Sequence, residues 1–199
     1  MSLKNGAKDK LDRYTSRTSG YAFNTYDHQG DVDLPLTPAD VLMANLLSLR
    51  LSGRDVIPLF AEGDGPAQRL RVALDDALVA LRDVAPFESH GALTILEESV
   101  EKLTAADAAT KSVKQWTEVT VSKVLHRRRP HIVPVIDSKV RKFYGIGIRQ
   151  PMNVRQALWE DLGENEGWIR ELAATKTTPD GRPLSLLRAA DILIWMSYA

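Results

Sequence analysis

"VLHRRRPHIVPVIDSKVRKFYG", residues 124–145, is the stretch on which the reading of the fold turns. It runs from a helix tail through three arginines and a proline-broken apolar run to one acid, Asp137, and then into a second helix. Pro130 closes the first helix, because its ring cannot continue the hydrogen-bond ladder. Asp137 stands where extended backbone becomes helical, a position that favours a capping acid. Gly145 stops the helix that follows. "RPHIVPV" and part of the N-terminal stretch are thin strand signals, and the reading is therefore all-α.

Helical patterns surround this segment. In "LTPADVLMANLLSLRL", Thr37 suits the N-cap, Pro38 the first helical position and Asp40 the positive helix end. Gly53 stops that helix, and "VIPLFAEG" reads as a short turn-like element. "PAQRLRVALDDALVALRDV" is the clearest case: Leu70, Leu74, Ala77, Leu78, Leu81 and Val84 form one amphipathic stripe. "LTILEESVEKL" puts Leu93, Leu96, Val100 and Leu103 on one face. "KQWTEVTVSKVLHRRR" is a further helix. "NVRQALWEDLG" and "NEGWIRELAATK" read as a pair broken at Gly163. "LSLLRAADILIWMSY" is apolar almost all round, so a buried helix is expected, with Arg188 and Asp191 paired at i, i+3. The expectation is about nine helices over residues 37–199, in one compact domain or two small lobes. Residues 1–36 read as an extended or irregular arm, in which Tyr21, Phe23 and Tyr26 either pin it to the body or form a short hairpin.

The chain has 199 residues, 44% of them hydrophobic, enough for a sizeable core. Its 26 basic and 26 acidic residues cancel, so no whole-chain field draws it to a polyanion. The balance hides an asymmetry. From Lys111 to Lys142 there are nine Lys/Arg against only Glu118 and Asp137, a local charge of +7. Such a window points to polyanion contact, or to a solvated helix end. With no cysteine, disulfides and iron–sulfur clusters are excluded and a cytoplasmic setting is expected. No apolar run reaches the roughly 20 residues of a membrane span, and no secretory signal is read at the start. Phosphate-binding glycine loops and the His-Glu-x-x-His motif are absent. His126 and His131 flank Pro130 and cannot share a helical face, while His28 and His90 stand alone, so neither metal nor cofactor is expected.

The order of elements in "VTVSKVLHRRRPHIVPVIDSKVRKF" resembles the core of the helix–hairpin–helix base-excision DNA glycosylases. A closer likeness is to an uncharacterised bacterial all-helical family. It carries Ser/Thr-Lys-Leu-Leu, Lys/Arg-Arg-Pro, Ile-Pro-Val and Asp segments and a Leu-Arg-x-x-Asp-x-x-x-Trp-Met end. These read here as "SKVL" (122–125), "RRRP" (127–130), "IVPVID" (132–137) and "LRAADILIWM" (187–196). The glycosylase-like core segment spans 112–145. The resemblance implies that Asp137 falls on the catalytic aspartate of the glycosylases. The lysine nucleophile of their bifunctional members falls at Val119. The hairpin falls at Gln115-Trp116-Thr117, where no glycine is present to bring backbone amides up to a phosphate.

Asp137 therefore has two compatible roles: N-cap of the helix that follows, and a carboxylate that activates a nucleophile or stabilises a cationic sugar. Lys123, Arg127, Arg128, Arg129, Lys139, Arg141 and Lys142 are the expected phosphate contacts of a DNA or RNA strand. Trp116 or Tyr144 is the candidate for stacking on a base, or else a packing residue. An enzyme on this scaffold would hydrolyse a nucleobase–sugar bond. Two other readings stay open. One is a non-enzymatic protein-interaction or regulatory domain. The other is an enzyme on another small anionic substrate, using Tyr26, Asp27 and His28 with Asp137.

Overall fold

The computed structural model describes residues 2–30 and 32–199. Among them run eleven α-helices and no β-strand: α1 (Ala7–Thr15), α2 (Phe23–Tyr26), α3 (Pro38–Met43), α4 (Gly53–Phe60), α5 (Pro66–Ala80), α6 (Leu93–Ser99), α7 (Glu101–Ala109), α8 (Glu118–Arg128), α9 (Ser138–Tyr144), α10 (Pro151–Ala174) and α11 (Leu186–Met196). One contiguous apolar core runs from Leu3 to Met196. No described helix is long and apolar enough to cross a membrane.

Helix α11 is the hub. Ten of its 11 residues are buried, and it packs against α1, α9 and α10. A helix apolar on every side must be covered on every side, which makes it the element around which a site can be held rigidly. Helix α5 buries Leu70, Leu74, Ala77 and Leu78 and leaves Val72 and Val79 in solvent, as its stripe requires.

Four expectations need correction. The stretch read as an irregular arm contains α1 and α2, whose Leu11, Tyr14, Phe23 and Tyr26 are buried. The few apolar residues there are spaced to face α11, and that packing outweighs the polar composition. The pair expected to break at Gly163 is the single 24-residue α10. Val154, Leu158, Leu162, Ile169 and Ala173 keep one buried stripe running past Gly163, which outweighs the roughly 1 kcal/mol a helical glycine costs. "VIPLFAEG" lies largely within α4, whose start is fixed by the Ser52–Asp55 capping box. "LTILEESVEKL" divides into α6 and α7 at Val100, which leaves regular α geometry.

"RPHIVPV" opens with a hydrogen-bonded turn, Ile132 N and Val133 N both donating to the Arg129 carbonyl, and among the described residues it pairs with no strand. Its Ile132, Val133, Val135 and Ile136 are buried, so its backbone polar groups need partners. They find side chains and loop amides instead of a sheet. His126 Nδ1 lies 2.5 Å from the Val133 carbonyl. Ser122 Oγ accepts from Ile136 N at 3.1 Å, and Phe87 N donates to the His131 carbonyl at 2.9 Å. The segment thus crosses the core and delivers Asp137 to the start of α9.

Candidate active site

Asp137 is the N-cap of α9. Its Oδ1 accepts from Lys139 N at 2.9 Å and Val140 N at 3.1 Å. The other oxygen, Oδ2, lies 3.5 Å from Lys123 Nζ, and 13% of the side chain remains exposed. That fraction opens into a cavity of about 210 Å³. Elements far apart in sequence line it: Tyr14 of α1, Tyr21 before α2, Leu47 and Ser48 after α3, Lys123 of α8, and Arg188, Asp191 and Trp195 of α11. The spacing of the last three is i, i+3, i+7, which sets them on one face of the helix. Larger open grooves of about 620 and 850 Å³ flank the loop at residues 112–117. Their acids Asp55, Asp107 and Glu118 already serve a helix cap or an ion pair. The smaller cavity is the one where polar groups converge.

An aromatic wall bounds it. Tyr14 and Tyr21 stack with centroids 5.0 Å apart, and the Trp195 ring meets them edge-on at 5.8 and 5.6 Å. Lys139 Nζ sits 3.6 Å from the centre of the Trp195 ring, a close cation–π contact. Behind the wall, Arg188 is held by two acids. Its Nε and Nη2 donate to Asp27 at 2.8 and 2.7 Å, and its Nη1 donates to Asp191 Oδ2. Burial raises the Asp191 carboxyl to about 6; Arg188 opposes the rise and Asp137 adds to it. Below this network Tyr26 donates to the Lys123 carbonyl at 2.5 Å, which fixes the turn of α8 that carries Lys123.

The arginine run behaves otherwise. Arg127 Nη1 reaches Asp40 Oδ1 at 2.5 Å, and Arg128 Nη1 reaches Asp40 Oδ2 at 3.2 Å. Arg128 Nη2 also donates to the Leu34 carbonyl at 2.6 Å. Arg129 donates to the carbonyls of Leu78, Val32 and Arg128. Asp40 in turn forms a capping box with Thr37. Burial works to raise its carboxyl, but the Thr37 hydrogen bonds and then Arg128 and Arg127 hold it below the ordinary value. The expected phosphate contacts Arg127, Arg128 and Arg129 are thus turned inward, where they fasten the stretch 32–40 and the end of α5 to α8.

The remaining candidates divide. Lys139, Arg141 and Lys142 lie beside Asp137 on α9. Arg141 pairs with Glu118 at 3.4 Å, and Lys142 lies over the Tyr198 ring at 5.0 Å. Trp116 is a core residue whose indole donates to the Asp55 carbonyl at 3.1 Å. Tyr144 donates to Asp161 at 2.8 Å, and burial followed by Asp161 raises its hydroxyl. Neither ring lines the cavity. Asp27 and Tyr26 are internal scaffolding and His28 is exposed, so the set Tyr26, Asp27, His28 and Asp137 does not assemble. Gln115, in the hairpin position, has φ 69°. The left-handed turn is present there with a residue other than glycine. Among the described residues no group of three or more His, Asp or Glu converges to hold a metal.

Sequence reasoning missed the cavity's Tyr14, Tyr21, Asp191 and Trp195 as site residues. The Arg-x-x-Asp-x-x-x-Trp spacing was the available signal, since it places all three on one face. Fold and site together define an all-α protein with a carboxylate-lined, aromatic-walled cavity at the meeting of its two ends. The chain belongs to the DUF6308 family, a family of unknown function, whose model matches residues 7–198. No curated protein and no solved structure matches it.

Proposed function

We propose that the chain takes a single nucleobase into the cavity and hydrolyses its bond to the sugar, with Asp137 as the essential carboxylate. The base would arrive on a nucleoside or on an unstacked nucleotide of DNA or RNA. The observation that carries this reading is the cavity itself, in which the Asp137 oxygen left free by the cap faces Lys123 and an aromatic wall. At about 210 Å³ it is smaller than the roughly 300 Å³ at which pockets for drug-sized ligands begin. A single heterocycle suits that size, and aromatic side chains suit its faces.

The chemistry needs a carboxylate there. As the C–N bond breaks, the base leaves with the electron pair and positive charge develops on the sugar. A carboxylate held by a helix cap stabilises that charge without reorganising. Water then adds to the anomeric carbon and gives one proton to Asp137; the departing base takes up a proton from solvent and Asp137 returns its own to solvent, so that the hydroxyl of one water ends on the sugar and one proton on the base. The resemblance of "IVPVID" to the glycosylase core supports the same role for Asp137.

Incubation with oligonucleotides and with free nucleosides, followed by chromatography of released base, tests the reading. The wild type should release base and Asp137→Asn should not. Absence of release by the wild type, together with absence of tryptophan quenching by every nucleoside, would refute the proposal. The internal pairing of Arg127 and Arg128 with Asp40 favours a second reading, a non-enzymatic protein-interaction domain. The same double negative is what that reading requires.

A further inference from the structure

The polar groups of the cavity are unequal in kind, and the inequality bears on which base would enter. Every nitrogen of Arg188 is committed: Nε and Nη2 to Asp27, Nη1 to Asp191. Lys123 Nζ donates to the Leu47 carbonyl at 2.6 Å. The charged donors are thus engaged by the protein. The carboxylates are not fully engaged. Asp191 offers Oδ2 to Arg188, and its Oδ1 accepts no hydrogen bond from the described residues, although the side chain is only 9% exposed. Asp137 uses Oδ1 for the cap, and among the described residues its Oδ2 has only the 3.5 Å ion pair with Lys123. Neither oxygen is among the buried atoms that lack a partner in the described residues, so both are open to the cavity, and a ligand that supplies N–H groups can form charge-assisted hydrogen bonds there. A ligand that brings carbonyl lone pairs to the same place is repelled.

We infer that the cavity selects a base edge bearing adjacent N–H donors, the guanine type, with the Asp191 carboxylate as the acceptor and the free Asp137 oxygen left to the sugar. This rests on the nucleobase reading above and narrows it. Guanine presents its ring N–H beside an amino group. Hypoxanthine lacks the amino group, and uracil sets carbonyls on both sides of its ring N–H. Charge-assisted hydrogen bonds are the strong ones, so the missing amino group is felt in affinity. The charged groups around Asp191 are Arg188 on its own helix, Asp137 at the start of α9 and Lys123 on α8. With its carboxyl raised to about 6, Asp191 is an acceptor at neutral pH and becomes protonated on acidification. The preference should therefore shrink as pH falls through that value.

Titration of the wild type with guanosine, inosine and uridine, followed by tryptophan fluorescence at neutral pH, tests this. Guanosine should bind at least about tenfold more tightly than inosine, and uridine no more tightly than inosine. Asp191→Asn should bring the guanosine-to-inosine ratio close to one. Asp27 still holds Arg188 in that variant, and the wild-type ratio decides the question without it. If inosine or uridine binds as tightly as guanosine, the donor-edge inference is wrong and the nucleobase reading stands. If no nucleoside binds, this inference falls, and the nucleobase reading falls with it when the wild type also releases no base from oligonucleotides.

Discussion

The arginine run at 127–129 and the cavity beside Asp137 both concentrate charge next to α8, and they dispose of it in opposite ways. In the run, every cation has an internal partner: Asp40 for two of them and backbone carbonyls for the third. In the cavity, two acids are each half satisfied, by a cap and by an arginine, and keep one oxygen toward open space. The lesson is that density of charge along a sequence says little about its availability. What matters is whether the fold supplies a counter-charge. Here the conspicuous arginines are structural and the inconspicuous carboxylates are the groups left with something to bind.

The comparison can be broken most decisively at Arg188. Arg188→Met leaves Asp27 and Asp191 buried without their cation, and should cost about 3–5 kcal/mol by urea unfolding. A loss under about 1 kcal/mol would mean that the charge behind the cavity is not held as described. On the arginine side, Asp40→Ala strands Arg127 and Arg128 and removes the α3 capping box. The expected loss is about 2–3 kcal/mol, less than for a wholly buried pair because Asp40 retains some solvent contact. Wild-type stability in this variant would return the arginines to the list of available cations.

Asp137 allows a finer cut. Asp137→Ala should lose about 1 kcal/mol, the worth of a cap, whereas Asp137→Asn should change stability by only a few tenths of a kcal/mol because Asn also caps well. Base release should vanish in both. Equal activity of Asn variant and wild type would reduce Asp137 to its cap. The smallest effect concerns salt. With the arginine run internal and Arg141 paired with Glu118, Lys139 and Lys142 are the two of the expected phosphate contacts left without an acidic side-chain partner at ion-pair distance in the described residues. If they are the contacts, the slope of log affinity for duplex DNA against log salt should be no steeper than about −1.8, and Lys142→Ala should lessen it by about 0.9. A slope twice as steep would restore a polyanion role to Arg127–Arg129.

Much of the fold was legible because its signals are local. The stripe of α5, the cap at Asp137, the stop at Gly145 and the apolar α11 each depend on residues within a few positions of one another. The failures share a different cause. Nothing within a turn of Gly163 says that α10 will continue through it, packed against α9 and α11, and the polar composition of α1 hides that its few apolar residues, Leu11 and Tyr14 among them, dock it. The site was half legible. Asp137 was identified by its position before a helix. Its cavity partners come from α1, α8 and α11, and no local rule links Tyr14 to Trp195. The same holds for Asp40, which lies 87 positions from Arg127; its helix-starting role was readable, its ion pairs were not.

The wall shared by Tyr14 and Trp195 bears on the timing of folding. Synthesis proceeds from the N-terminus, so the first half of this boundary leaves the ribosome long before the second exists. Until α11 emerges, Asp27 lacks Arg188 and the early aromatic rings have only one another. The proposed recognition of a base consequently requires α11 to have been made, and a product truncated before Leu186 should lack it however well its earlier helices had formed.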